Sequence, residues 1–201
     1  MADPAHRLRR SFAEYLEIER ASEVKHQLVD GEIFAMTGGT FGHSRIAANL
    51  LVGLTNRLHG GSCTTVGPDA RLWLEAADIA TYPDVSVICG ERRSPSEDPE
   101  STTNPTLVAE VLSPSTERFD RGRKRDAYFT LPSLRHYLLV RADRARIELY
   151  TRQDEATWTF RAWGPAEAMP LPALGIELSV SEVYEGVDLD DAAVSIPPEE
   201  A

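Results

Sequence analysis

Apolar positions recur along this chain in two rhythms. Spacings of three and four, with Phe12, Tyr15, Leu16 and Ile18, predict a short amphipathic helix over residues 11–20. The stripe Ile46, Ala47, Leu50, Leu51 and Leu54 predicts a longer helix over residues 43–58. Between them, residues 25–29 and 32–36 flank Asp30-Gly31, the signature of a tight β-hairpin. Thr37-Gly38-Gly39-Thr40 then breaks the chain. Short apolar and β-branched runs predict strands at residues 63–66, 70–74, 82–88, 106–112, 136–140, 146–150 and 158–161, and a last one near Ile176 leading into a turn at 180–184. The first two of these are expected to pair around Gly67-Pro68-Asp69. The 106–112 run is the most hydrophobic and so should be central. Residues 91–104 are polar and rich in Pro and Ser, a loop, and a helix is expected over residues 118–130, ending before Leu131-Pro132.

No internal repeat or linker divides this pattern. It implies one α/β domain, a sandwich around a mixed sheet, over residues 1–187, followed by an acidic tail, 188–201, expected to be disordered. A chain of 201 residues suits one domain with a sizeable core. The two cysteines, Cys63 and Cys89, have no metal or redox spacing and read as reduced packing residues of a cytoplasmic protein. No apolar run is long enough to span a bilayer, and the arginine-containing N-terminus lacks the apolar core of a signal peptide. The formal charge of −11 argues against a general nucleic-acid coat protein. Seven of the acids fall within residues 182–201, so the remainder carries only −4. Such a body can bind DNA locally through a basic patch, weakly and with strong salt dependence.

Two carboxylates change the picture. Asp84, in Tyr82-Pro83-Asp84-Val85-Ser86-Val87, and Glu110, in Leu107-Val108-Ala109-Glu110-Val111-Leu112, each sit in an apolar, β-branched run. A charge buried there is costly unless something pairs with it. Strand alternation puts Asp84, Ser86 and Ile88 on one face, and Val108, Glu110 and Leu112 on one face, so on neighbouring strands the two acids can converge. Two hard oxygen ligands plus waters suit Mg²⁺ or Mn²⁺ and phosphodiester chemistry. The plainer reading has Asp84 capping a strand end and Glu110 paired with an arginine. On the following helix Arg121, Lys124, Arg125 and Tyr128 share a face, and a lysine there can hold a water and offset phosphate charge. The plainer reading of Lys124 is an i, i+4 surface pair with Asp120. Trp73, Trp158 and Trp163 read as packing residues, because no basic-aromatic interleaving accompanies them.

The chain resembles the Uma-two restriction-endonuclease-like family of the PD-(D/E)XK nuclease superfamily. The resemblance is carried by Val29-Asp30-Gly31-Glu32-Ile33, His43 with Asn49, Tyr82-Pro83-Asp84-Val85, and Glu110-Val111-Leu112-Ser113-Pro114-Ser115-Thr116. Asp120 through Lys124 to Tyr128, Leu131-Pro132-Ser133-Leu134-Arg135-His136-Tyr137 and Val183-Tyr184-Glu185-Gly186-Val187 complete it. It covers residues 11–187 and implies a restriction-endonuclease-like fold, with helices flanking a mixed sheet. It also implies a metal-dependent phosphodiesterase site in which Asp84, Glu110 and the backbone carbonyl of Val111 hold Mg²⁺ or Mn²⁺. The superfamily's lysine two residues after the second acid is Leu112 here, and the resemblance implies that Lys124 takes its place. A glutamate common before the hairpin is Gln27 here, which removes a negative charge from the metal shell.

His43, at the start of the second helix, matches the family pattern as a phosphate or water contact, though capping or packing is the plainer reading. Arg71 would point to the same cleft or pair at the surface. The expectation is therefore a Mg²⁺-dependent DNA endonuclease, with a homodimer implied by resemblance. Two alternatives are a nucleic-acid-binding or assembly module of the same fold with little activity, and a structural oligomeric domain. No recognition helix or finger marks a sequence preference.

Overall fold

A computed structural model of the protein describes residues 9–189. The predicted tail falls outside these residues, apart from its first two. Helix α1 (Phe12–Ala21) starts at a capping box: Ser11 Oγ accepts from the Glu14 backbone N–H, and the Glu14 carboxylate accepts from the Ser11 N–H. Strands β1 (His26–Val29) and β2 (Glu32–Ala35) form the expected hairpin. Asp30 and Gly31 both have positive φ, 51° and 82°, as a two-residue turn of this hand requires. Helix α2 (Phe41–Leu58) is capped by Thr40 and buries Ile46, Leu50, Leu54 and Leu58, a stripe at helical spacing.

The next stretch departs from expectation. Strand β3 (Cys63–Val66) does not pair with β4 (Leu72–Leu74). It pairs with β6 (Val85–Cys89), while β4 pairs with β5 (Ile79–Thr81), so the Gly67-Pro68-Asp69 segment carries the chain from one sheet to another. Residues 82–88 are not one strand either. Pro83 has no N–H to give a ladder, and the strand is interrupted between β5 and β6.

Strand β7 (Leu107–Leu112) is fully buried and central. It runs antiparallel to β6 and parallel to β8 (His136–Arg141). The crossover helix is α3 (Glu117–Phe119), a π-helical turn (Asp120–Lys124) and α4 (Arg125–Phe129). Strands β9 (Ile147–Arg152) and β10 (Trp158–Trp163) complete a six-stranded mixed sheet in the order β10-β9-β8-β7-β6-β3. A separate four-stranded sheet has the order β2-β1-β5-β4. An unforeseen strand, β11 (Ala168–Leu171), pairs with β12 (Ile176–Ser179) ahead of the short α5 (Val180–Val183).

Alternation along β7 separates two cores. Leu107, Ala109 and Val111 pack with α2, β12 and α5. Val108 and Leu112 face Ala127 and Tyr128 of α4 together with Leu72, Leu74 and Ile79. A third, smaller cluster joins α1 to Leu28 and Trp73, with Phe12 stacked on the Trp73 ring at 4.0 Å. Trp158 stacks on Phe129, so both tryptophans pack as expected. Cys63 and Cys89 are register partners on β3 and β6 and form a disulfide. The reading of two reduced thiols is thereby corrected, and the cysteines give no argument for a reducing compartment. No described helix is long and apolar enough to cross a membrane.

Candidate active site

Asp84 stands just outside β6. The β6–β7 register pairs Val85 with Ala109 and Ser86 with Val108. Continued by one residue, it sets Asp84 opposite Glu110, on the face that turns toward α4. The two acids therefore meet through the alternation read from sequence, although Asp84 has left the ladder. Its Oδ2 accepts from the Val111 N–H at 2.7 Å, a bond that Asp84 makes with a side chain where a strand residue would use its backbone. Its Oδ1 lies 2.9 Å from His43 Nε2. The Thr40 cap fixes the first turn of α2, and Gly39 lies against the His43 ring, so the helix N-terminus delivers the imidazole to Asp84. The capping reading of His43 is thus incomplete: its backbone is capped, and its side chain reaches the site.

Glu110 is only 4 % exposed. Its Oε1 accepts from Tyr128 Oη at 2.6 Å and from Lys124 Nζ at 3.0 Å. Lys124 is buried as well, and its ammonium lies 3.0 Å from Asp120 Oδ1, an ion pair rather than an aligned hydrogen bond. The surface-pair reading of Asp120 and Lys124 is therefore corrected: the spacing is as expected, but both residues are enclosed. Burial is what the sequence did not show, since an i, i+4 acid–lysine pair looks the same on an exposed face.

The electrostatics stem from that enclosure. Burial pushes the Glu110 carboxyl up to about 7; Lys124 opposes the shift, while Asp120 and Asp84 add to it. Burial disfavours the Lys124 charge, but Glu110 and Asp120 outweigh it and hold the ammonium well above the ordinary lysine value. Burial likewise works against a charged His43, yet Asp84, aided by Glu110 and Asp120, holds the imidazole above its usual value.

The other predicted residues divide. Gln27 is half-buried on β1, paired with Phe34, one step before the last β1–β5 rungs. Val111 gives its N–H to Asp84. Arg121 does not enter the site: it forks onto Glu148 of β9 and bonds Glu117, so its charge is spent there. Arg125 pairs with Asp126. Arg71 is neither a surface pair nor in the cleft. It is buried, bonding Asp98, Ser101 and Tyr82 Oη, while Tyr82 in turn donates to Glu19. That chain of bonds ties α1 to the 91–104 loop, a structural role.

Whether these residues suit a divalent cation is a question of donor chemistry. Among the described residues no three of His, Cys, Asp and Glu are gathered so as to hold a metal by side chains alone. Two carboxylates plus solvent are enough for Mg²⁺, which keeps several waters. Asp84 and Glu110 supply hard oxygens, and a cation held there would offset the burial, chiefly, and the neighbouring carboxylates that push the Glu110 carboxyl up. The donor set fits.

Comparison with known proteins places the chain. Residues 12–181 match the Uma2 family, described as "Putative restriction endonuclease". Of two similar proteins from Synechocystis sp. (strain PCC 6803), slr1290 is 37% identical over 174 residues, 87% of this chain and 90% of the relative. The other, sll1609, is 34% identical over 146 residues, 73% of this chain and 82% of the relative. A crystal structure from Anabaena variabilis, titled a "putative nuclease belonging to DUF820", superposes with a TM-score of 0.69 at 18% identity, covering 87% of this chain and 97% of that one. By its family match, its relatives and its fold, the chain belongs to the Uma2 family of restriction-endonuclease-like proteins.

Proposed function

We propose that this protein is a Mg²⁺- or Mn²⁺-dependent DNA endonuclease that hydrolyses phosphodiester bonds at Asp84, Glu110 and Lys124. The observation that carries the reading is the enclosure of a lysine against a strand carboxylate that faces a second carboxylate. Asp84, Glu110 and the Val111 carbonyl would hold the cation. Bound there, it would polarise the phosphate and lower the pKa of a water.

The rest is done by the chain. Tyr128 fixes the Glu110 carboxylate in one orientation, and His43 does the same for Asp84. Lys124 keeps its charge at neutral pH and offsets the negative charge that builds on phosphate. The water oxygen would bond to phosphorus as one of its protons passes to solvent, the bond to the leaving sugar oxygen would break, and that oxygen would depart with a proton taken back from solvent, leaving a phosphomonoester and an alcohol. Family membership supports the reaction class.

A second reading, a nucleic-acid-binding or assembly module of the same fold, is favoured by one observation. Both Asp84 oxygens already accept bonds from the chain, and Gln27 supplies no charge. The two readings separate in a plasmid-nicking assay at low salt with Mg²⁺ or Mn²⁺, run beside Glu110→Ala and an EDTA control, with calorimetry for metal uptake. The nuclease reading expects metal-dependent nicking, and loss of both nicking and metal uptake in the variant. DNA binding that needs no metal, with no nicking by the native chain, would replace it with the second reading.

A further inference from the structure

The crossover helix is not a uniform α-helix. Residues Asp120–Lys124 form a π-helical turn between α3 and α4. A π turn adds a residue to the helical repeat, rotates the next turn of helix and loosens the carbonyl ladder, and such turns are frequent at functional sites. Here the backbone carbonyl of Asp120 accepts from Tyr137 Oη of β8 at 3.0 Å, a buried bond that ties the turn to the sheet.

The Asp120 side chain is 2 % exposed. A buried carboxylate needs a counter-charge, and removing one partner of such a pair strands the other. The neighbouring cations are committed elsewhere: Arg121 to Glu148 and Glu117, Arg123 to Asp30, and Arg125 to Asp126. Among the described residues only Lys124 forms an ion pair with Asp120. The ammonium thus stands between two carboxylates, Glu110 and Asp120, 3.0 Å from an oxygen of each. A four-carbon stem with a rotatable head has many rotamers to choose from. Glu110 alone would leave the head free to swing about one oxygen, whereas two anchors fix it.

We propose that Asp120, carried on the π-helical turn that Tyr137 secures, is the positioning residue for Lys124 and holds its ammonium over Glu110. The proposal rests on the reading of Lys124 as the cation of a phosphodiesterase site, but its geometry can be tested apart from that reading. Lys25 and Lys124 are the only lysines in the chain. Lys25 is half-exposed and Lys124 is enclosed, so brief acetylation read by mass spectrometry has an internal reference.

The experiment uses the full chain without metal for acetylation, and with Mn²⁺ for nicking kinetics. In Asp120→Asn, with an unchanged far-ultraviolet circular dichroism spectrum, Lys124 should label at least about tenfold faster while Lys25 labels as before. Nicking should fall at least about tenfold in kcat with KM within about twofold. Asp120→Glu should recover part of both, and adding Asp120→Asn to Lys124→Met should cost nothing further. If Asp120→Asn does not fold, Tyr137→Phe takes its place, with an increase in Lys124 labelling of about threefold expected. Lys124 labelling within twofold of the native chain in the folded variant would overturn the proposal, as would an additive double variant. A native chain that does not nick, combined with release of Lys124 in Asp120→Asn, would defeat the nuclease reading and leave the positioning role standing.

Discussion

Gly39 shows how finely one residue sets the site. A Cβ built at this position would lie 2.6 Å from His43 Cδ2 and 2.7 Å from Cγ, closer than real contacts allow. The ring would have to move, and the bond from His43 Nε2 to Asp84 Oδ1 would move with it. Gly39→Ala should therefore cut nicking by about tenfold while changing stability by under ~1 kcal/mol, since the loop is on the surface. Nicking kinetics paired with chemical denaturation test this, and an unchanged rate would mean that His43 does not orient Asp84. At the same scale, Asp84 and Glu110 were legible as candidates because charged residues are rare in such apolar runs. His43 was visible as a residue but not as a partner of Asp84, because that contact joins segments 41 residues apart, whereas the i, i+4 pairing of Asp120 with Lys124 was legible and only its enclosure was not.

At the scale of elements, α1 is the simplest case. Its capping box satisfies two backbone donors at the helix start, and the Ser11-Phe12-Ala13-Glu14 spacing is the whole of the signal. Ser11→Ala should lower stability by about 1 kcal/mol, measured by urea unfolding, without affecting nicking. A loss below a few tenths would show that α1 is held by Tyr15, Leu16 and the Phe12–Trp73 stack alone. The hairpin at Asp30-Gly31 and the stripe of α2 were equally local, and both formed where expected. The β3–β4 pairing failed for the opposite reason. Neighbouring strands in sequence usually pair, but the fully buried Leu72, Trp73 and Leu74 are packed by a different sheet from Cys63–Val66. The π turn was not legible, because Gly122 at its centre weakens a helix without specifying which irregularity follows.

Two predictions belong to the whole molecule. The Cys63–Cys89 disulfide closes a 26-residue segment that contains β4, β5 and Asp84. On chain-entropy grounds its reduction should cost about 3 kcal/mol, seen as a lower melting temperature in dithiothreitol and reproduced by Cys63→Ser. An unchanged melting temperature would mean that the bond does not form in solution.

His136, fully buried at the start of β8, accepts from the Ala173 N–H through Nε2, and burial pushes its imidazole down to about 4. The unfolded chain takes up this proton near the ordinary histidine value of about 6.5, before the folded chain does. Its contribution is complete above that value and is lost as pH falls from there to about 4, for a total of about 3 kcal/mol. Urea unfolding at pH 7 and pH 4.5 should show a smaller drop in His136→Gln than in the native chain. Equal drops would place the acid sensitivity in other groups.

Much of this protein was written locally. Helix stripes, caps, the hairpin turn and the apolar run of β7 depend on residues within a few positions of one another, so periodicity and turn chemistry specify them without reference to the rest of the chain. The resemblance of motifs over residues 11–187 likewise located Asp84, Glu110 and Lys124. The partition of strands between two large sheets, the enclosure of Lys124 between Glu110 and Asp120, the delivery of His43 to Asp84 and the meeting of Cys63 with Cys89 were settled by packing. Apart from the local Asp120–Lys124 spacing, each joins different elements of the fold, and its free energy comes from burial, which no single segment possesses on its own.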